Sequence, residues 1–222
     1  GALLAGAEGA YVDTVKQYEI GFKAQDLALG AGNLDFYGTL FLSKTEESNI
    51  TITPPTGQIR KYDAKGLELE AYYKSGVFNL YATATYTDAE ITDARNSAGV
   101  VNAALVGNRP QRQAKLIWAV TPSLDFDQFR VSASWIGTGS SFANDANTLT
   151  QKGYSVVHLT GAVNLTDNLE FSLNVNNLFD KAGITESAND GRESLFAGAP
   201  NTVTIGRSIQ GRTMAANIRF KF

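Results

Sequence analysis

The sequence predicts an all-β fold, an antiparallel meander of the kind that forms the wall of a transmembrane β-barrel. Three observations predict it. The first is the last eleven residues, Arg212 to Phe222, in which Met214, Ala216, Ile218, Phe220 and Phe222 share one parity, while Thr213, Ala215, Asn217, Arg219 and Lys221 share the other. A strand sends successive side chains to opposite faces, so this segment is apolar on one side and largely polar on the other. The second is that the pattern recurs upstream in segments near ten residues long, the length a tilted strand needs to cross a bilayer. The third is the order of the connections, which after the first strand alternate short and long through the whole chain. Brief turns at one end and extended loops at the other are what a membrane barrel requires, and a soluble sandwich has no reason to sort its loops by side.

Taken in order, residues 1 to 12 carry little pattern and read as a loop. A first strand runs from Tyr18 to Ala24, with Tyr18, Ile20 and Phe22 on one face. After a Gly-rich turn ending at Asn33, a second covers Leu34 to Ser43, with Leu34, Phe36, Leu40 and Leu42 apolar. Lys44 to Arg60 reads as a polar loop, because Pro54-Pro55 cannot sit in a central strand. Gly66 to Tyr73 and Val77 to Tyr86 form a hairpin through Lys74-Ser75-Gly76. A long loop from Thr87 to Pro110 precedes a fifth strand, Gln111 to Thr121, and Pro122 to Asp127 reads as a turn. A sixth strand spans Phe129 to Gly137 and a seventh Tyr154 to Leu165. An eighth, Leu169 to Leu178, follows the turn at Thr166-Asp167-Asn168, and a loop of about thirty residues leads to the closing segment. The total is about nine strands, with no helical period.

Composition narrows the class. The 222 residues carry a net charge of -3, which argues against a nucleic-acid partner, since such proteins present a basic patch. There is no cysteine, hence no disulfide framework and no thiolate metal site. The polar faces are rich in Ser, Thr, Asn, Gln and Tyr rather than Lys and Glu, which suits a hydrated lumen better than a solvated outer surface. Tyr18, Tyr73, Tyr86, Phe129, Trp135 and Phe222 fall near strand ends on the apolar face, as girdle aromatics do.

Several short stretches then resemble one family. Tyr18-Glu19-Ile20-Gly21-Phe22-Lys23 looks like the "YE(I/L)G(F/L)K" strand of TonB-dependent outer-membrane receptors, and Ala64-Lys65-Gly66-Leu67-Glu68-Leu69-Glu70 resembles their "GxExE" strand. Asn108-Arg109-Pro110 is similar to the "NRP" step before a barrel strand, and Asn176-Asn177-Leu178-Phe179-Asp180 to the "NLFD" stretch near the end. Gly211-Arg212-Thr213, with the alternating run to Phe222, resembles the family's closing strand. The matches follow the family's order and span residues 15 to 222.

The resemblance implies a barrel of about 22 strands filled by an N-terminal plug. It implies active uptake across the Gram-negative outer membrane of a scarce nutrient, such as a ferric siderophore, cobalamin or a saccharide, energised through TonB. No plug or TonB-contacting box is found in the sequence, and an odd strand count leaves the first strand starting on the wrong side for an even-stranded barrel. The expectation is therefore that residues 1 to 222 are the C-terminal part of a larger barrel. Its expected partners are outer-membrane lipid, its own plug and remaining strands, TonB through the plug, the small-molecule ligand, and the barrel assembly machinery through the strand ending at Phe222. The alternative is a small plug-less passive or structural barrel.

No enzyme chemistry emerges, and no cofactor or metal is implied. His158, the only histidine, lies on a polar strand face with no nucleophile motif, and reads as a lumen side chain. Gly137-Thr138-Gly139-Ser140-Ser141 lacks the lysine and helix of a phosphate loop. Asn144-Asp145-Ala146-Asn147 and Asn189-Asp190-Gly191-Arg192-Glu193 offer oxygens but not the EF-hand spacing, and read as polar turns. Glu68, Glu70, Lys115, Arg130, Glu170 and Arg219 share the lumen-facing set with Glu19 and Lys23. Pairing among themselves across strands is favoured over direct ligand binding, and in an intact receptor some of them would contact the plug instead. Ligand contacts are expected on the long outer loops, where Arg95, Arg109, Arg192 and Arg207 are the cations placed to meet an anion, against the plainer account of solvated loop charge.

Overall fold

The computed structural model describes residues 13–52, 55–96, 98–187 and 206–222. The leading loop read at residues 1 to 12 lies outside them, as do Arg192 and the polar turn around it.

Nine strands form one antiparallel sheet in the order β1-β2-β3-β4-β5-β6-β9-β10-β13. They are β1 (Thr14–Leu29), β2 (Gly32–Ile52), β3 (Pro55–Ser75), β4 (Phe78–Arg95), β5 (Leu116–Asp125), β6 (Phe129–Thr138), β9 (Tyr154–Thr166), β10 (Leu169–Asn176) and β13 (Thr213–Phe220). Two small ribbons sit inside long connections: β7 (Ser141–Phe142) with β8 (Thr150–Gln151), and β11 (Ile184–Ser187) with β12 (Gly206–Ser208). No helix occurs among the described residues. β1 and β13 are the two edges and do not pair with each other, so this wall does not close on itself.

The loop order is as expected except between β2 and β3, where a continuous ladder out to Ile52 and Pro55 replaces the long loop. Gly30-Ala31, Gly76-Val77, 126–128 and Asp167-Asn168 make the brief turns at one end, and the long connections all lie at the other. Gly30 and Gly76 hold positive φ of 60° and 56°, which a glycine adopts without a Cβ penalty.

Register confirms the two faces. Ile20, Leu40, Leu67, Tyr86 and Leu116 form one cross-strand row, and Ala24, Phe36, Ala71, Ala82, Val120 and Trp135 another. Between them, on the opposite face, run rows such as Tyr37, Glu70, Thr83 and Ala119. The apolar rows have no protein cover: Ile20 is 71% and Leu40 55% exposed. Among the most deeply buried apolar residues, Ile91, Ala94, Ala114 and Ala143 gather instead at the long-connection end.

Several boundaries differ from the sequence reading, beginning with β1, which runs from Thr14 to Leu29 rather than Tyr18 to Ala24. Lys44 to Arg60 is not a loop: β2 and β3 pair continuously out to Ile52 and Pro55. Lys44 Nζ lies 3.1 Å from Asp63 Oδ2, and Lys61 Nζ 2.9 Å from Glu46 Oε2. Cross-strand charge pairs hold the ladder where apolar alternation has ended. Pro55 is tolerated because it is the first residue of its strand. Likewise β4 runs on to Arg95 rather than stopping at Tyr86. Conversely, Gln111 to Lys115 is not part of β5, and the strand instead continues through Pro122 to Asp125. Pro122 fits because the ladder from β5 to β6 skips Thr121 and Pro122, so no donor is needed there.

One close approach sets the packing of the aromatic pair Trp118 and Trp135, whose rings meet edge to face at 5.7 Å. A Cβ on Gly137 would fall 2.2 Å from Trp118 Cζ2. Gly137→Val is expected to displace the Trp118 ring and destabilise the sheet by about 1–3 kcal/mol. A shifted tryptophan emission maximum together with a lower denaturation midpoint checks this, and unchanged emission refutes it.

Candidate ligand-facing surface and its outer loops

The polar face begins with hydroxyl and amide side chains held in rows by the ladder. Near the short-turn end, Arg130 Nη2 reaches over β9 to Glu170 Oε2 at 2.7 Å, and Arg219 sits opposite Glu170 in register. Glu70 accepts a hydrogen bond from the Tyr81 hydroxyl. Glu68 lies in the row of Thr39 and Thr85. His158 is part-buried, its Nδ1 accepting a long 3.4 Å contact from the Asn177 backbone N–H. Lys115 departs from the sequence reading. It precedes β5, so strand parity does not govern it, and its Nζ pairs with Asp88 Oδ1 at 2.5 Å, in the row of Leu42 and Lys65 on the apolar face.

The long connections fold over the polar face and tie themselves to the wall. Asp145, in the β6–β9 connection, is 7% exposed and accepts from Arg60 Nη1 at 3.0 Å on β3 and from the Gln111 N–H at 2.9 Å. Asn147 clamps Arg109 from both sides: its Oδ1 accepts from the Arg109 N–H at 2.9 Å, and its Nδ2 donates to the Arg109 carbonyl at 2.8 Å. Asn108 Nδ2 donates to the Asp145 carbonyl at 2.9 Å. Asn147 takes positive φ of 56°, a conformation asparagine accepts more readily than most residues. The 108–111 segment is therefore the strap that fastens the β4–β5 connection to the β6–β9 connection. Because the side-chain oxygens of Asn144, Asp145 and Asn147 already accept from protein donors, this turn is a structural knot rather than a cation site.

A second latch closes the last connection. Asn177 is 3% exposed at φ 50°; its Nδ2 donates to the carbonyls of Lys181 and Gln210, each at 2.9 Å, and its Oδ1 accepts from the Lys181 N–H at 2.9 Å. Asp180 Oδ1 accepts from the Arg212 N–H at 2.8 Å. Leading away from it, Glu186 bridges Arg112 at 2.8 Å and Arg207 at 3.2 Å.

Between these loops and the sheet lies a hollow of about 450 Å³ on the polar face. Thr83, Thr85, Thr138, Arg112, Gln151 and Lys152 line it together with the apolar side chains of Ile117, Ala119 and Ile136. Such a surface offers hydroxyls, an amide and cations beside a larger apolar patch, which suits an amphipathic ligand. Of the loop arginines predicted for that role, the three described ones, Arg95, Arg109 and Arg207, are not in this lining. Arg207 is held by Glu186, and Arg95 by Asp93 at 2.7 Å. Arg109 donates to the Ser140 carbonyl and lies over the Phe142 ring at 5.2 Å. Arg192 is outside the described residues. Arg112 and Lys152 went unremarked in the sequence, and only the fold brings them into one lining with the threonines.

An open antiparallel wall with an uncovered apolar face, a polar inner face and loops folded over one end defines a segment of an outer-membrane β-barrel. The chain belongs to the TonB dependent receptor-like β-barrel family, whose model matches residues 13–178. Among solved structures it resembles the ferric yersiniabactin uptake receptor FyuA from Yersinia pestis, with a TM-score of 0.71 at 18% identity over 96% of this chain and 30% of that one. The ferric citrate transporter FecA gives 0.71 at 21% identity, over 94% of this chain and 31% of that one. The ferric-catecholate import receptor Fiu from K12 E. coli gives 0.69 at 18% identity, over 100% of this chain and 30% of that one. The chain thus spans about 30% of the length of each. Comparison with curated proteins finds none that matches.

Proposed function

We propose that residues 1 to 222 form the C-terminal part of the barrel of an active outer-membrane receptor that takes up a scarce nutrient, with a ferric siderophore-type complex as the leading class. The observation that carries this is the inner hollow under the folded loops, to which Thr83, Thr85, Thr138 and Lys152 bring polar groups and at whose edge Arg112 is already paired with Glu186. The ferric complexes named for the three similar receptors support the class of ligand. The two unpaired edges, β1 and β13, support further strands closing the barrel, since an open edge in lipid leaves backbone groups unsatisfied. A plug inside the barrel and coupling to TonB complete the reading, with Glu68, Glu70, Arg130, Glu170 and Arg219 on the wall that a plug would meet.

The experiment is uptake of radiolabelled ferric complexes by iron-starved cells, with the gene for the whole receptor intact, deleted, or intact in a strain lacking TonB. Uptake lost in both altered strains is the expected result. Uptake that persists without TonB would instead establish a passive barrel. A receptor whose deletion leaves every ferric complex unaffected, while growth on cobalamin or a saccharide falls, would move the substrate class.

A further inference from the structure

The outward face of the wall changes character along a sharp line. Below it lies the row Ile20, Leu40, Leu67 and Tyr86; at it, Tyr18, Leu42, Lys65 and Asp88; above it, Lys16, Lys44, Asp63 and Glu90. From Leu34 to this line β2 climbs eight residues, about 26 Å of strand at ~3.3 Å each, or ~20 Å of height at a tilt of ~40°. The line is therefore the outer border of the apolar band.

Two hollows meet there on the outward face. The lower, of about 590 Å³, is an apolar groove between Ile20, Leu40, Leu67 and Tyr86. The upper, of about 600 Å³, is lined by Lys44, Lys65, Arg109 and Lys115 together with Asp63, Asp88 and Glu90. Tyr18, Leu42 and Lys65 line both, so one runs into the other. Asp63 is occupied by Lys44 and Asp88 by Lys115. Lys65 and Arg109 make no ion pair among the described residues; both lie within electrostatic reach of Asp88, which Lys115 already pairs, and Glu90 lines the same hollow, so the four cations outnumber the three acids. Arg109 is held in place by the Ser140 carbonyl, the Phe142 ring and the Asn147 clamp, so its charge is set at the border rather than free in solvent.

We propose that this rim of β1 to β4 binds a phosphorylated lipid of the outer leaflet, with its phosphate between Lys65 and Arg109 and an acyl chain in the groove below. The argument is charge complementarity over an apolar groove at the height of the headgroups: a phosphate satisfies both cations, and a chain covers side chains that no protein covers. A guanidinium and an ammonium differ in geometry but both donate to phosphate oxygens, and those bonds strengthen where water is thinned at a membrane surface. The inference rests on the apolar face being the lipid face, which family membership gives, and is independent of which nutrient the receptor carries.

The test uses the full-length receptor in detergent micelles, titrated with dioleoyl phosphatidic acid, with dioleoylglycerol, and with inorganic phosphate, read by native mass spectrometry and by the quenching of a brominated acyl chain on tryptophan. Phosphatidic acid is expected to bind at least tenfold more tightly than dioleoylglycerol. Lys65→Glu should erase that difference, and Lys65→Gln, which adds no repulsion, should reduce it severalfold with an unchanged melting profile. Ile20→Asn should weaken phosphatidic acid. Equal binding of phosphatidic acid and dioleoylglycerol would show ordinary bilayer contact and overturn the proposal. Inorganic phosphate competing at matched concentration, or a Lys65→Gln receptor that folds and binds as before, would overturn it as well. Ferric-complex uptake by the same variants, measured in parallel, separates loss of this site from failure of the transport reading.

Discussion

Asp145→Ala is expected to cost about 3–5 kcal/mol, the range for removing one partner of a buried ion pair, and to release two outer loops together. The carboxylate is 7% exposed and its partner Arg60 is itself mostly buried, with 19% of the side chain exposed. Deleting the acid removes the carboxylate that Arg60 Nη1 meets at 3.0 Å and the oxygen that accepts from the Gln111 N–H at 2.9 Å. Since Arg60 retains some solvent, the lower half of the range is the better figure. Asp145→Asn preserves an acceptor for Gln111 but not the charge, and should cost less. Denaturant unfolding of the receptor gives the size of the loss, and limited proteolysis gives its location: new cuts should appear both in 139–153 and in 104–115, because Asn108 and Arg109 are fastened to the same knot. If cuts appear in only one of the two connections, the strap is not what joins them. The double variant Arg60→Leu with Asp145→Ala should cost less than the sum of the two single variants, since neighbouring partners of this kind are not additive.

What the sequence made legible follows from where the solvent changes. Between the short turns and the row of Leu42 and Lys65, one face meets lipid and the other water, so alternation is written into the residues and nine strands could be counted. Beyond that row both faces are wet. Lys44, Glu46, Lys61 and Asp63 then obey no apolar period, and a paired ladder reads as a polar loop. The reverse error occurred at Gln111 to Lys115, where Gln113, Ala114 and Lys115 imitate a strand but Arg112 sits at φ 63°, outside the extended region of a regular ladder. Parity placed Arg130 and Glu170 in one compartment, yet that they touch across β9 is a property of strand order. The two loop knots were out of reach for the same reason. Asp145 meets Arg60, and Asn177 meets Gln210, only because the sheet brings distant segments to one end. The Asn108-Arg109-Pro110 and Asn177 to Asp180 motifs were recognisable as patterns, but their purpose as fasteners is visible only in the fold.

The larger consequence for assembly lies in Asn177. Its side chain makes three hydrogen bonds at 2.9 Å to backbone groups at both ends of the last connection, and its backbone holds the left-handed conformation. At about 1 kcal/mol net per bond, plus about 1 kcal/mol for a residue with Cβ that prefers this conformation less than asparagine does, Asn177→Ala is expected to cost about 3–4 kcal/mol. Asn177→Gly separates the two contributions: it relieves the backbone but restores no bond, so it should recover only about 1 kcal/mol of the loss. Asn177→Asp keeps an acceptor for the Lys181 N–H and loses both donors, and should fall between. The effect should concentrate on one strand. β13 starts where Thr213 pairs with Asn176, and the Arg212 N–H just before it is held by Asp180. Loosening the latch therefore frees the start of an edge strand whose other side pairs with nothing in this wall. Hydrogen exchange on the folded receptor should show faster exchange at Met214 to Ala216 than at Ile218 to Phe220, which lie beside the tight turn at Asp167-Asn168. In cells, the fraction of receptor reaching the folded, heat-modifiable form should drop for Asn177→Ala and less for Asp180→Ala, which removes a single bond. Uniform acceleration along all of β13 would mean instead that the strand is held by its pairing with β10 alone, and that the latch serves the loop and not the strand.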